Sequence, residues 1–103
     1  MAQPASDLEK VARIAPKLAQ LSEDVLFGDV WQRPELSPRE RSIATVAALT
    51  ALYRPEQLTG HLQRAIANGV TRSELGELFT HLAFYAGWPA AASAVNALGA
   101  LPE

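Results

Sequence analysis

The chain of 103 residues contains no cysteine. A disulfide, a thiolate zinc site and thiol redox chemistry are therefore closed to it. Charge of either sign is sparse: nine Lys and Arg stand against eleven Asp and Glu, for a formal net charge of −2. The basic residues are scattered and form no stripe that would follow a phosphate backbone, so nucleic acid is not an expected partner. No apolar run approaches the ~18 residues of a spanning helix, so no membrane segment is expected. The opening MAQPASDLEK lacks the basic-then-apolar order of a secretory leader, and the expected setting is the cytoplasm. Strand-like alternation is absent too, as are a glycine-rich phosphate loop, a serine elbow and the HExxH metal motif.

Hydrophobic residues make up 49% of the chain, which places it among folded proteins rather than disordered ones. The length allows one domain, spanning residues 1–103. Much of the apolar content is alanine, which packs helices closely but buries little area. A single copy then builds a modest core, and a homo-oligomer is expected, with an alanine-rich monomeric bundle as the alternative.

The prolines and caps divide the chain into helices. Ser6 can cap a first helix beginning near Asp7, with Leu8, Val11, Ile14, Leu18 and Leu21 at helical spacing. Pro16 should kink or split it. A short helix from Glu23 to about Val30 follows, and the chain then loops through Trp31-Gln32-Arg33-Pro34. Ser37-Pro38-Arg39-Glu40 is a capping box with proline at the first helical position. The helix it opens carries Ile43, Val46, Ala47, Leu49 and Leu52, is apolar nearly all round, and should be central. Pro55 starts the next helix, with Leu58, Leu62, Ala65 and Ile66 inward and Asn68-Gly69 as its stop. Thr71-Arg72-Ser73-Glu74 is a second capping box, opening a helix that buries Leu75, Leu78, Phe79, Leu82 and Ala83 and runs to Gly87. Pro89 opens a last helix from Ala90 to about Leu98. The expected fold is an all-α bundle of five to six helices.

Chemistry-bearing residues concentrate on residues 55–68. Gln57, His61 and Arg64, spaced by four and three, share one face, while Arg54 and Glu56 stand at the first turn, where an anion is welcome. A histidine beside arginines and a carboxylate can hold or move a proton near neutral pH. The plain alternative is a solvated polar face with one surface histidine. His81 shares a face with Glu77 and Tyr85 at spacings of four, and the plainer reading is a structural histidine bonded to Glu77 or a carbonyl. The two histidines lie on different helices with no third ligand, so no metal site is expected. Trp88, in the corner Gly87-Trp88-Pro89, could wall a pocket or plug the core or an interface.

Four segments then stand out together: Phe27-Gly28-Asp29-Val30-Trp31-Gln32-Arg33-Pro34, LSPRERSIATVAALTAL, RPEQLTGHLQRAIANGVT and HLAFYAGWPAA. In order and spacing they resemble the carboxymuconolactone decarboxylase family over roughly residues 20–100. The resemblance implies a helical fold like that of alkyl hydroperoxidase D, assembled as trimers or hexamers. The peroxidase branch of that fold uses Cys-x-x-Cys-x-x-x-His with an upstream glutamate. Here the histidine position matches His61, the cysteine positions fall on Arg54 and Gln57, and the glutamate position falls near Ser42. Thiol peroxidase chemistry is excluded with the thiols.

The wording matches the decarboxylase branch instead. That implies conversion of 4-carboxymuconolactone to the 3-oxoadipate enol-lactone without a cofactor, because the conjugated lactone carbonyl of the substrate accepts the electron pair. Such an enzyme must bind a dianion, stabilise charge on that carbonyl and deliver a proton to ring carbon. On this resemblance His61 is the general acid, with Glu56 orienting or tuning it. Arg33, Arg54 and Arg64 are candidates for the carboxylates, whose two oxygens match the guanidinium fork. His81 and Trp88 are candidates to line the pocket, from a neighbouring subunit if need be. Two other readings stay open at this point: an enzyme of the same fold acting on another small carbonyl acid, and a non-catalytic oligomeric module.

Overall fold

The structure, a computed structural model, describes residues 7–103, with side chains from Glu9 onward. The expected cap Ser6 and the side chain of Leu8 lie outside the described residues. Every regular element among the described residues is helical, as the periodicity predicts. The chain divides into two compact units, Met1–Glu35 and Leu36–Glu103.

The first unit holds α1 (Asp7–Ile14) and α2 (Pro16–Leu21), with a π-helical stretch Ser22–Phe27 and a single 3-10 turn Val30–Gln32. Pro16 splits the first helix as expected. Ala15 before it is driven out of the helical region, to φ −134° and ψ 71°, by the proline ring. The following helix does not reach Val30. It widens to π geometry and stops at Gly28, where a Cβ would lie 2.7 Å from the Asp24 carbonyl oxygen and 2.8 Å from that of Glu23. Only glycine lets the wide turn close there.

The second unit holds α3 (Pro38–Ala51), α4 (Pro55–Ala67), α5 (Arg72–Leu82) and α6 (Trp88–Gly99). Both capping boxes form. Ser37 Oγ accepts from the Glu40 amide at 3.1 Å while Glu40 accepts from the Ser37 amide at 2.8 Å. Thr71 and Glu74 repeat the pattern at 3.0 and 2.9 Å. α3 packs against α4, α5 and α6, which is the central place its apolar surface predicts. Its buried positions are Ser42, Val46 and Thr50. The two hydroxyls are satisfied: Thr50 Oγ1 donates to the Val46 carbonyl at 2.7 Å, and Asn68 Nδ2 donates to Ser42 Oγ at 3.0 Å. The core is completed by Leu58, Leu62, Ala65, Val70, Leu75, Phe79, Ala91, Ala94, Leu98 and Leu101.

Four expectations need correction. Leu52, carried by the helix expected to be central, and Ile66, read as inward, are exposed. Leu52 is the residue at which α3 ends, and neither side chain finds a covering helix within the second unit. The helix opened by Thr71 ends at Leu82 rather than running to Gly87. After His81 the chain tightens, with Phe84 N–H bonding the His81 carbonyl at 3.2 Å and Tyr85 N–H the Leu82 carbonyl at 3.0 Å. Gly87, at φ +102°, then turns the chain, so α6 begins two residues earlier than Pro89 suggests.

Candidate functional site

The turn between α3 and α4 sets up the first candidate residues. Tyr53 adopts φ 57°, a left-handed conformation that is uncommon for a bulky residue. Arg54, next along, places its Nη1 2.9 Å from the Leu52 carbonyl oxygen and 3.4 Å from that of Tyr53. Its guanidinium thus caps the end of α3, a favourable place for a cation. Arg54 also stands at the N-cap of α4, whose first amides receive no side-chain cap. Glu56 is exposed in that first turn.

His61 is half-buried on α4. Its Nδ1 is sealed from solvent with no hydrogen-bond partner. Nε2 is not sealed in this way and is the nitrogen left to meet a ligand. Burial disfavours the imidazolium, and the charge of Arg64 adds to that, so the pKa lies below its ordinary 6.5. In the free chain the ring is therefore neutral at pH 7. Of the expected partners, α4 brings Arg64 into electrostatic reach of His61. Glu56 stands five residues before His61, about 140° around the helix, and makes no hydrogen bond to it. Arg33 belongs to the first unit, where it pairs with Glu35 at 3.8 Å.

His81 stacks on Tyr85, with ring centroids 4.8 Å apart and planes tilted by 32°. It lines two open cavities. One, of about 420 Å³, also meets Arg39, Ile43, Glu74 and Glu77; the other, of about 500 Å³, meets Glu77, Thr80, Phe84 and Tyr85. The grouping of His81 with Glu77 and Tyr85 is thus present. Trp88, the first residue of α6, does not plug the core: it is 76% exposed and walls a cavity of about 310 Å³. A fourth cavity, of about 400 Å³, lies within the first unit, beside Phe27. His61 lines none of these four.

Sequence reasoning missed Arg39 and Glu74. Arg39 pairs with Glu74 and reaches the Gly69 carbonyl at 3.4 Å, tying the start of α3 to the start of α5. The amide of Thr71 first, and Arg39 next, hold the Glu74 carboxyl below its ordinary value. The capping box marks Glu74 locally, but no local signal marks its distant cation. Among the described residues no three His, Asp or Glu side chains gather as a metal cage.

A model of the carboxymuconolactone decarboxylase family matches residues 16–100. The chain is 46% identical over 70 residues to a 4-carboxymuconolactone decarboxylase of Acinetobacter baylyi, covering 68% of this chain and 52% of that protein. It is 36% identical over 76 residues to a nitrosuccinic acid decarboxylase of Metarhizium robertsii, covering 74% and 53%. An uncharacterized 15.0 kDa protein of Paracoccus denitrificans is 27% identical over 93 residues, covering 87% and 69%. The aligned stretch thus spans about half the length of either decarboxylase. A match over most of the chain settles its kinship: the chain belongs to the carboxymuconolactone decarboxylase family.

Proposed function

We propose that the chain works as a cofactor-free carboxy-lyase in the cytoplasm, acting on 4-carboxymuconolactone in the breakdown of aromatic acids, with His61 as the proton donor. The observation that carries this reading is the state of His61: a half-buried imidazole, one nitrogen sealed and Arg64 beside it, on a chain similar to a 4-carboxymuconolactone decarboxylase.

The step balances without an added group. The bond from ring carbon to its carboxylate breaks and carbon dioxide leaves. The electron pair passes into the conjugated lactone carbonyl, and a proton from His61 forms the new carbon–hydrogen bond. The neutral imidazole of the free chain is the wrong form for this task. A substrate carboxylate seated at Arg64 offsets the charge that disfavours the imidazolium and draws a proton onto the ring. Binding thereby loads the acid. Arg54 and Arg33 are the further cations this reading assigns to the carboxylates, and Glu56 is assigned a tuning role through its charge.

The same reading includes self-association, as a trimer or a hexamer. Two observations support it. Phe84, Tyr85 and Trp88 are all more than three-quarters exposed, and the ring of His61 is only half-buried. A small ligand is normally enclosed over most of its surface. His81 and Trp88, supplied by a neighbouring copy, would furnish walls for His61.

A second reading is favoured by the likeness to a nitrosuccinic acid decarboxylase: the same machinery acting on another small carboxylic acid. An ultraviolet assay of purified protein with 4-carboxymuconolactone, without metal or nucleotide, separates the two. Rapid loss of the lactone supports the first reading. Folded protein that leaves the lactone intact but releases carbon dioxide from nitrosuccinate moves the assignment to the second.

A further inference from the structure

Among its described residues the first unit shows no interior of its own. None of its side chains from Glu9 to Glu35 is buried. Its 35 residues fall below the ~40 at which a chain usually supports a core unaided. Along the helical segment after Pro16, Leu18, Leu21 and Val25 recur at spacings of three and four, and all are exposed, at 55%, 44% and 48%. That is the spacing of a helix that lays an apolar ridge into a groove.

The second unit has such a groove. The cavity beside Trp88, at the corner between α5 and α6, is walled by Ala83, Phe84, Ala92 and Val95 and has no charged residue in its lining. Two aromatic rings stand bare on it. With aromatic side chains of about 150–250 Å² each, Phe84 and Trp88 leave roughly 240–400 Å² uncovered, the size of the largest apolar patch on an ordinary monomer. A standard interface takes about 800 Å² from each partner, so the two rings supply roughly a third to a half of it.

We infer that the apolar ridge of residues 18–25 in one copy docks into the α5–α6 groove of a second copy. This rests on the self-association proposed above and names its two faces. The occupant is another copy because ridge and groove are carried by the same chain, in equal number, and a heterologous pairing lets every copy use both. Groove against groove would leave both concavities unfilled, whereas a convex row of Leu18, Leu21 and Val25 fills one. The contact is heterologous, so a third copy can add to the second in the same way and the assembly can close as a ring.

The cysteine-free sequence makes the test clean. Leu18→Cys and Val95→Cys are prepared as separate full-length proteins, one with a size tag, then mixed under mild oxidation and run on a non-reducing gel. Light scattering measures each mass beforehand. The expected result is a mixed disulfide-linked pair, with little cross-linking of either variant alone. Cross-linking of Val95→Cys alone or Leu18→Cys alone, without the mixed species, overturns the pairing. So does an oligomer by light scattering that yields no mixed pair; self-association then stands and these faces fall. A monomeric mass removes both. Turnover of 4-carboxymuconolactone, measured on the untagged wild type, reports on the decarboxylase reading separately.

Discussion

Arg64 stands one turn beyond His61 on α4, and its charge adds to burial in holding the imidazole neutral. Replacing it separates the two causes. In Arg64→Gln the His61 pKa should rise but stay below 6.5, because burial is the larger cause. Proton NMR titration of the His61 ring signals measures this directly. The kcat/KM profile should move the same way, since it reports the free enzyme's essential groups. Activity should fall as pH rises through the His61 pKa, and the fall should occur at higher pH in Arg64→Gln. An unchanged titration would remove Arg64 from the account.

Stability should decline toward acid from two starting points. The folded-state pKa of His61 lies below 6.5, so as pH falls the unfolded chain takes up its proton first. The associated stability is intact above 6.5 and is lost as pH falls through the folded value. Glu40 and Glu74 are likewise held below 4.5, chiefly by the amides of Ser37 and Thr71. Their contribution is intact above 4.5 and is lost as pH falls through their folded values. Urea midpoints across the acid range should show both declines. His61→Gln should flatten the upper one and leave the lower.

Phe79 and Phe84 sit five residues apart with opposite surroundings, at 1% and 85% exposure. Phe79→Ala opens a cavity among the core helices and should cost about 3–5 kcal/mol. In the isolated chain Phe84→Ala should change stability by less than about 0.5 kcal/mol. If Phe84 lines an interface between copies, its loss appears instead as a concentration-dependent fall in assembled mass. Denaturant melts at two protein concentrations, read beside light scattering, check both halves.

What the sequence made legible was local. The capping boxes at Ser37 and Thr71 are patterns of four adjacent residues, and both form as read. The split at Pro16 follows from one ring against its neighbour. The end of α5 was not legible, because Ala83, Phe84, Tyr85 and Ala86 are all compatible with helix and the stop depends on a tightened turn and a left-handed glycine. The exposure of Leu52 and Ile66 was hidden for another reason: periodicity shows which residues are apolar, not which surface covers them. The pairing of Arg39 with Glu74 joins residues 35 apart in sequence. At the candidate site, the spacing of His61 and Arg64 shows in the sequence. The depressed pKa does not, because it comes chiefly from burial by the surrounding fold.

The most direct test of the central claim is the turnover of 4-carboxymuconolactone by wild type and His61→Gln, side by side, with circular dichroism and light scattering confirming matched fold and mass. If His61 delivers the proton, kcat should fall by about two to four orders of magnitude. Turnover close to wild type would contradict the account and move the proton to another group.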